Sequence, residues 1–123
     1  MHNVSIIQNF KYALIGLAHI LKSERNARIH LVVAIVVSIA AIALDLPAAE
    51  MVAIFFAIMT VFIAEIFNTV AEKMLDLVHP DQSPKVALIK DMAAGAVLVT
   101  AVGAAIMGFV IFSPYILDLL WSL

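Results

Sequence analysis

Residues 51–76 read MVAIFFAIMTVFIAEIFNTVAEKMLD, and this stretch decides the fold. Residues 51–64 carry no charge. As a helix that rises about 1.5 Å per residue, they would cross about 21 Å of a hydrocarbon layer about 30 Å thick. The acids Glu65, Glu72 and Asp76 then follow on the same helix. The stretch therefore predicts a transmembrane helix with one polar end.

The rest of the 123-residue chain is similarly apolar. Hydrophobic residues make up 65% of the sequence, charged residues 13%, and the mean hydropathy is +1.13. A transmembrane helix needs about 20 apolar residues, so we predict three spans, at 28–46, 50–76 and 86–117. Residues 1–24 repeat apolar side chains every three or four positions, which predicts an amphipathic interfacial helix that anchors the chain or covers a site. The predicted fold is all-α, with 1–123 as a single integral-membrane domain.

The composition argues against several classes of protein. An average soluble domain is about half apolar and a quarter charged, so neither a soluble enzyme nor a disordered chain is expected. A net charge of -2 provides no basic surface for nucleic acid, and the lack of cysteine removes thiolate chemistry. The sequence has no glycine-rich phosphate-binding motif. The four histidines lack metal-binding spacing, so we expect them at the interface or in loops.

The basic residues predict the orientation, because lysine and arginine favour the cytoplasmic side of a membrane. They precede the first predicted span and surround the loop at 79–84. The turn at 45–50 and the tail after Ser113 contain none. With three spans, the N-terminus is predicted to be cytoplasmic and the C-terminus outside.

Four polar residues of the second span are spaced three, four and four apart, which places them on one helical face: Glu65, Asn68, Glu72 and Asp76. A carboxyl group inside a membrane is costly unless it is paired, protonated or hydrated. A purely structural explanation of Glu65 is an ion pair with a lysine of the third span, or a protonated, hydrogen-bonded acid. Four polar groups on one face favour a functional site instead.

Two other segments bring charged groups to the same membrane depth. Lys90 and Asp91 lie where the third span begins, and Glu24 and Asn26 lie just before the first span, beside two arginines that are typical topology anchors. Carboxylates beside a lysine suit divalent metal ions and phosphate groups. Two acids can hold Mg²⁺, a third can accept a hydroxyl proton, and the lysine can neutralise phosphoryl charge.

Small residues form a stripe on the third span, at four-residue spacing: Ala96, Thr100, Ala104 and Gly108. Such stripes let helices approach closely in a membrane. Three helices enclose a polar site poorly within one subunit, so we predict a homo-oligomer with shared sites. Packing within a single subunit is the alternative.

Three blocks of the sequence resemble the signatures of the prokaryotic diacylglycerol kinase family. Residues 65–76 (EIFNTVAEKMLD) follow the pattern E-x-x-N-S/T-x-x-E-x-x-x-D, and residues 90–97 (KDMAAGAV) follow K-D-x-A-A/S-x-A-V. Residues 24–30 (ERNARIH) resemble the E-R-N-x-R-I-H stretch of the Gram-positive branch, whose members phosphorylate undecaprenol. The blocks occur in order, and the resemblance covers nearly the whole chain.

The resemblance implies a lipid kinase of the bacterial cell membrane, built as a homotrimer of three-span subunits with active sites between subunits at the cytoplasmic interface. It implies ATP as co-substrate and Mg²⁺ as cofactor, while the net charge of -2 argues against a nucleic-acid partner. The implied acceptor is a membrane lipid, with undecaprenol favoured and diacylglycerol as the other possibility.

The resemblance also implies residue roles. Glu24 and Glu72 match the acids associated with Mg²⁺ and ATP, and Glu65 matches the proposed general base. The implied catalytic positions are Glu65, Asn68, Lys90 and Asp91. The implied nucleotide-binding positions are Tyr12, Glu24, Glu72, Lys90 and Asp91. Whether Glu65 or Asp91 accepts the proton stays open.

Two other functions are compatible with a small membrane protein. A proton-coupled multidrug transporter also has about this length and a membrane-embedded glutamate. Such transporters typically have four spans with the acid in the first, and they offer no role for Lys90 and Asp91. An assembly subunit without chemistry leaves the face that carries Glu65 unexplained. The main hypothesis is therefore the lipid kinase.

Overall fold

Four α-helices form the computed structural model, which describes residues 5–81 and 83–122. Their bounds are α1 Ile6–Ser23, α2 Arg25–Ala43, α3 Ala48–Val78 and α4 Pro84–Trp121. Helices α2, α3 and α4 are long and apolar enough to cross a membrane, which confirms the predicted all-α membrane fold. Residues 1–4 of the predicted interfacial helix, Gln82 of the predicted loop and Leu123 lie outside the described residues.

Helix α1 is capped at both ends. The Ser5 hydroxyl accepts a hydrogen bond from the Gln8 N–H at 3.3 Å, and the Gln8 side chain accepts one from the Ser5 N–H at 3.1 Å, so that two N–H groups of the first turn are satisfied. At the other end, Arg28 Nη1 of α2 donates to the carbonyls of Leu21 and Lys22 at 3.2 and 2.9 Å. The apolar face of α1 is open, with Ile6 85% exposed, as suits a helix on a lipid surface.

The turn between α2 and α3 ends α2 at Ala43, three residues before the end of the predicted span. Asp45 adopts a left-handed conformation with φ 53°. The Leu46 N–H donates to the Ala41 carbonyl and the Asp45 N–H to that of Ile42, both at 3.1 Å. This pair of bonds is the Schellman motif, which satisfies the last carbonyls of a helix. Pro47 then caps α3.

The apolar core lies beside this turn. Ala41, Leu46 and Ile54 are buried together, and Phe112 and Tyr115 of α4 pack against them. The Tyr115 hydroxyl donates a 2.7 Å hydrogen bond to Glu50 Oε2. All three long helices are therefore joined at this end of the molecule.

From this core towards His30, α2 and α4 are separated by a cleft that has α3 as its floor. An apolar pocket of about 390 Å³ and a smaller, more polar one of about 310 Å³ lie along it, and His30 and Ala101 line both. The small-residue stripe borders this cleft through Ala104 and Gly108. A Cβ atom added at Gly108 would meet nothing within 4 Å in the chain, so no helix of this subunit packs closely there.

Candidate functional site

The buried polar side chains of the described residues lie on one face of α3. Glu65 is 3% exposed, Asn68 9% and Thr69 2%. Glu65 and Asn68 line the smaller pocket together with Asn26 and His30 of α2, and aliphatic residues of α4 close the opposite side. Glu65 and Asn68 are three residues apart on α3, and both therefore lie in one pocket, between helices that are long and apolar enough to cross a membrane.

Two oxygen atoms of this pocket have no hydrogen-bond partner. Glu65 Oε2 and Asn68 Oδ1 are both buried and unpaired among the described residues, whereas Asn68 Nδ2 donates to Glu72 Oε1 at 3.3 Å. Buried polar atoms are nearly always paired, because an unpaired one loses its hydration without compensation. Both residues line the same pocket, so their unpaired oxygens are available to a ligand there.

Among the described residues, His30 is the basic group that lies within 4 Å of Glu65. Its Nε2 lies 3.9 Å from Glu65 Oε2, and its side chain is 22% exposed. The sequence alone gave His30 no role, because hydropathy does not define how α2 is rotated against α3. The only available signal was its place at the end of the ERNARIH block.

A second polar cluster joins the start of α2 to α3. Lys73 Nζ lies 3.1 Å from Glu24 Oε1, which also accepts a 2.9 Å hydrogen bond from the Ser23 hydroxyl. The hydrogen bond from Lys73 holds the pKa of Glu24 below its usual value, and that from Ser23 adds to the effect. Because Lys73 directly follows Glu72, this contact keeps Glu24 beside the segment of α3 that carries Glu72. Lys73 was not among the predicted site residues.

The predicted phosphate-binding lysine is paired elsewhere. Lys90 Nζ of α4 donates to Asp76 Oδ1 at 2.5 Å, so the structure does not show an ion pair between Glu65 and a lysine of the third span. Asp91 and Tyr12 are both exposed. The structure gives neither of them a hydrogen bond or ion pair with the residues it describes, and neither lines the pocket that holds Glu65.

The donor set suits a hard cation only in part. No group of three histidine, aspartate or glutamate side chains among the described residues could hold a metal ion by itself. Mg²⁺ usually takes one or two carboxylates and completes its shell with water and phosphate oxygens. Glu24, Glu72 and the free Oδ1 of Asn68 offer oxygen donors of that kind.

Together, these groups suit a molecule that is polar at one end and apolar at the other. A buried carboxylate can accept a proton in the smaller pocket, and the apolar pocket next to it can hold a hydrocarbon chain. Lys73 and Lys90, near the end of α3, could bind an anion. The site therefore combines proton acceptance with a membrane-facing apolar cleft.

Comparison with known proteins agrees with this arrangement. The family model described as prokaryotic diacylglycerol kinase matches residues 11–112. A diacylglycerol kinase of Synechocystis sp. is 34% identical over 117 residues, 94% of this chain and 67% of its own length. An undecaprenol kinase of Bacillus subtilis is 36% identical over 107 residues, 87% of each chain.

Proposed function

The chain belongs to the prokaryotic diacylglycerol kinase family, and from this premise we propose that it is a lipid kinase that transfers the γ-phosphate of ATP to the hydroxyl of a membrane lipid. The names of both relatives support lipid phosphorylation. The observation that carries the proposal is Glu65, a carboxylate 3% exposed within a membrane-spanning helix, with an unpaired oxygen beside an apolar cleft.

In the proposed reaction Glu65 accepts the proton of the lipid hydroxyl. The lipid oxygen forms a bond to the γ-phosphorus, the bond from that phosphorus to the bridging oxygen breaks, and ADP leaves. Phosphoryl transfer depends mainly on positioning and charge stabilisation. Asn68 would keep Glu72 in place through its 3.3 Å hydrogen bond, and the aliphatic residues around the pocket would exclude water from the reacting oxygen.

The charged groups at the end of α3 would bind the nucleotide. Glu24 and Glu72 would hold Mg²⁺, which when bound neutralises phosphate charge. Lys90 would exchange its pairing with Asp76 for the phosphates. Tyr12 and Asp91 are proposed as further nucleotide-binding positions on the strength of the family resemblance. Because Asp91 is exposed and does not line the pocket that holds Glu65, Glu65 is the better candidate for the proton acceptor.

The chain is proposed to act as a homotrimer in the bacterial cell membrane, with 1–123 as one domain. The open space at Gly95 and Gly103, which lie outside the cleft, supports this assembly, because a second copy could pack there. The N-terminus would be cytoplasmic and the C-terminus outside, so that ATP reaches the end of α3 from the cytoplasm.

The favoured acceptor is undecaprenol, with diacylglycerol as the other candidate. The lining of the apolar pocket has His30 as its single polar side chain, so the ester carbonyls of diacylglycerol would lack hydrogen-bond donors there. The test is a competition in mixed micelles that contain both lipids at equal mole fraction, with labelled ATP and Mg²⁺. We expect mainly labelled undecaprenyl phosphate; a predominance of phosphatidic acid would reverse the preference.

The transporter alternative finds no support. The family match is to a kinase family, and the described residues contain three helices that could span a membrane, with the buried acid in the second.

A further inference from the structure

We propose that His30 and Glu65 together bind the acceptor hydroxyl, with His30 donating a hydrogen bond to the oxygen that Glu65 deprotonates. The inference rests on the proposed lipid kinase function and adds an acceptor-binding residue to it.

The first argument is the distance between the two side chains. A separation of 3.9 Å between His30 Nε2 and Glu65 Oε2 is too long for a direct hydrogen bond, which needs about 2.7–3.2 Å. One oxygen atom placed about 2.8 Å from both atoms would subtend an angle of about 90° between them, which fits a hydroxyl that donates one hydrogen bond and accepts another. The gap therefore has the size of one hydroxyl oxygen.

The second argument is chemical complementarity. A carboxylate only accepts hydrogen bonds, and an imidazole protonated on Nε2 donates there. A hydroxyl does both, so it can give its proton to Glu65 Oε2 and accept from His30. Glu65 Oε2 is buried and has no partner among the described residues, and such a hydroxyl would satisfy it.

The third argument is the place of His30 at the junction of two pockets. It lines the polar pocket with Glu65 and the apolar pocket with Val37 and Phe112. From His30 to Val37 the apolar pocket follows two turns of α2, about 10 Å. A hydroxyl held at His30 would have its hydrocarbon chain in that cleft. The ligand class is therefore a long-chain alcohol with its hydroxyl at the end of one apolar chain and no ester beside it.

The test compares two substitutions of His30 with one elsewhere. Gln places an amide N–H near the position of Nε2, so His30→Gln retains the donor, whereas His30→Leu removes it. His79→Leu is the matched control, because His79 is exposed in the loop after α3. Steady-state rates are measured with a prenol as the varied acceptor and, separately, with ATP varied.

Loss of one hydrogen bond should lower kcat/KM for the acceptor about tenfold in His30→Leu, with most of the loss restored in His30→Gln. The KM for ATP should stay unchanged in both, and His79→Leu should match the wild type. If His30→Leu raises the KM for ATP as strongly, or if Gln fails to restore activity while the protein remains folded, His30 has only a structural role and the proposal is wrong.

A binding experiment without ATP separates this inference from the kinase proposal. A fluorescent prenol is displaced by either the unlabelled prenol or the matching hydrocarbon that lacks the hydroxyl. Wild type and His30→Gln should prefer the alcohol several-fold, and His30→Leu should lose that preference. An equal preference in all three proteins overturns the role of His30, even if the wild type is an active kinase. Preserved alcohol binding in a wild type that makes no lipid phosphate would overturn the kinase proposal instead.

Discussion

Glu65→Gln should separate the chemistry of the site from its packing. Gln has nearly the same shape as Glu, so the pocket keeps its volume, but the side chain no longer accepts a proton. Removing a positioned general base typically lowers a rate by about 10²–10⁴-fold, which corresponds to about 3–5 kcal/mol at 1.36 kcal/mol per tenfold. Turnover should fall by that factor.

The free energy of unfolding should not fall with it. Glu65 is 3% exposed, and its Oε2 has no hydrogen-bond partner among the residues described. Replacing it by a neutral amide removes a buried acid without breaking a hydrogen bond that the structure shows. We therefore expect unchanged or higher thermal stability in the same detergent micelle.

Glu50→Gln is the matched control, because it makes the same change on the same helix at the opposite end. Glu50 accepts a 2.7 Å hydrogen bond from the Tyr115 hydroxyl. A hydrogen bond to a charged group contributes more than a neutral one, so this variant should lose about 1 kcal/mol of stability. Its turnover should stay within about twofold of the wild type, because Glu50 lies 15 residues before Glu65 on α3, about 22 Å along the helix.

The assay uses labelled ATP, Mg²⁺ and a prenol in micelles, with thermal unfolding measured on the same samples. Two results would refute the reasoning. Glu65→Gln could retain more than about a tenth of wild-type turnover, which is less than a base contributes. Alternatively, Glu50→Gln could lose turnover as fully as Glu65→Gln.

Three further substitutions test other parts of the structure. Asp45→Gly should raise the free energy of unfolding by about 0.5–1 kcal/mol, because glycine adopts a φ of 53° without strain; a lower melting temperature would contradict the Schellman turn. The pKa of Glu24 is lowered in the folded protein. Its pairing therefore stabilises the fold fully above pH 4.5, the ordinary carboxyl pKa, and this stabilisation is lost as the pH falls through the lowered pKa. On acidification the melting temperature of Lys73→Met should therefore fall less than that of the wild type. An unchanged pH profile would contradict the role of the pair formed by Glu24 and Lys73. Lys90→Met should raise the KM for ATP about tenfold or more, because hydrogen bonds to charged groups are strong, and leave the acceptor KM unchanged; the reverse pattern would move Lys90 away from the phosphates.

Hydropathy predicted the three spans, because a membrane requires long apolar segments whatever their tertiary contacts, and helical periodicity predicted the amphipathic helix before them. Helical spacing likewise predicted that Glu65 and Asn68 share a face, since that is a property of one helix. The capped start of α1 and the left-handed Asp45 depend on local hydrogen bonds, which hydropathy does not report.

The sequence pattern did not predict which side chains of different helices meet. After His30, helix α2 is apolar on nearly every side, so its pattern does not reveal which face meets α3, and the position of His30 was missed for that reason. Lys90 was expected on phosphates and pairs with Asp76 in the structure, because the short connection between α3 and α4 brings these two oppositely charged side chains together. The pairing of Glu24 with Lys73 also needed the three-dimensional position of the α1–α2 junction.

The most direct test of the central claim is the stoichiometry of transfer by the purified wild-type protein. The γ-phosphate of ATP is labelled, the lipid and aqueous phases are separated, and lipid phosphate and ADP are counted with Mg²⁺ and after its chelation. We predict one labelled lipid phosphate for each ADP formed with Mg²⁺, and neither product after chelation. Failure to label any prenol or diacylglycerol, or ADP release into water without lipid phosphate, would contradict the claim.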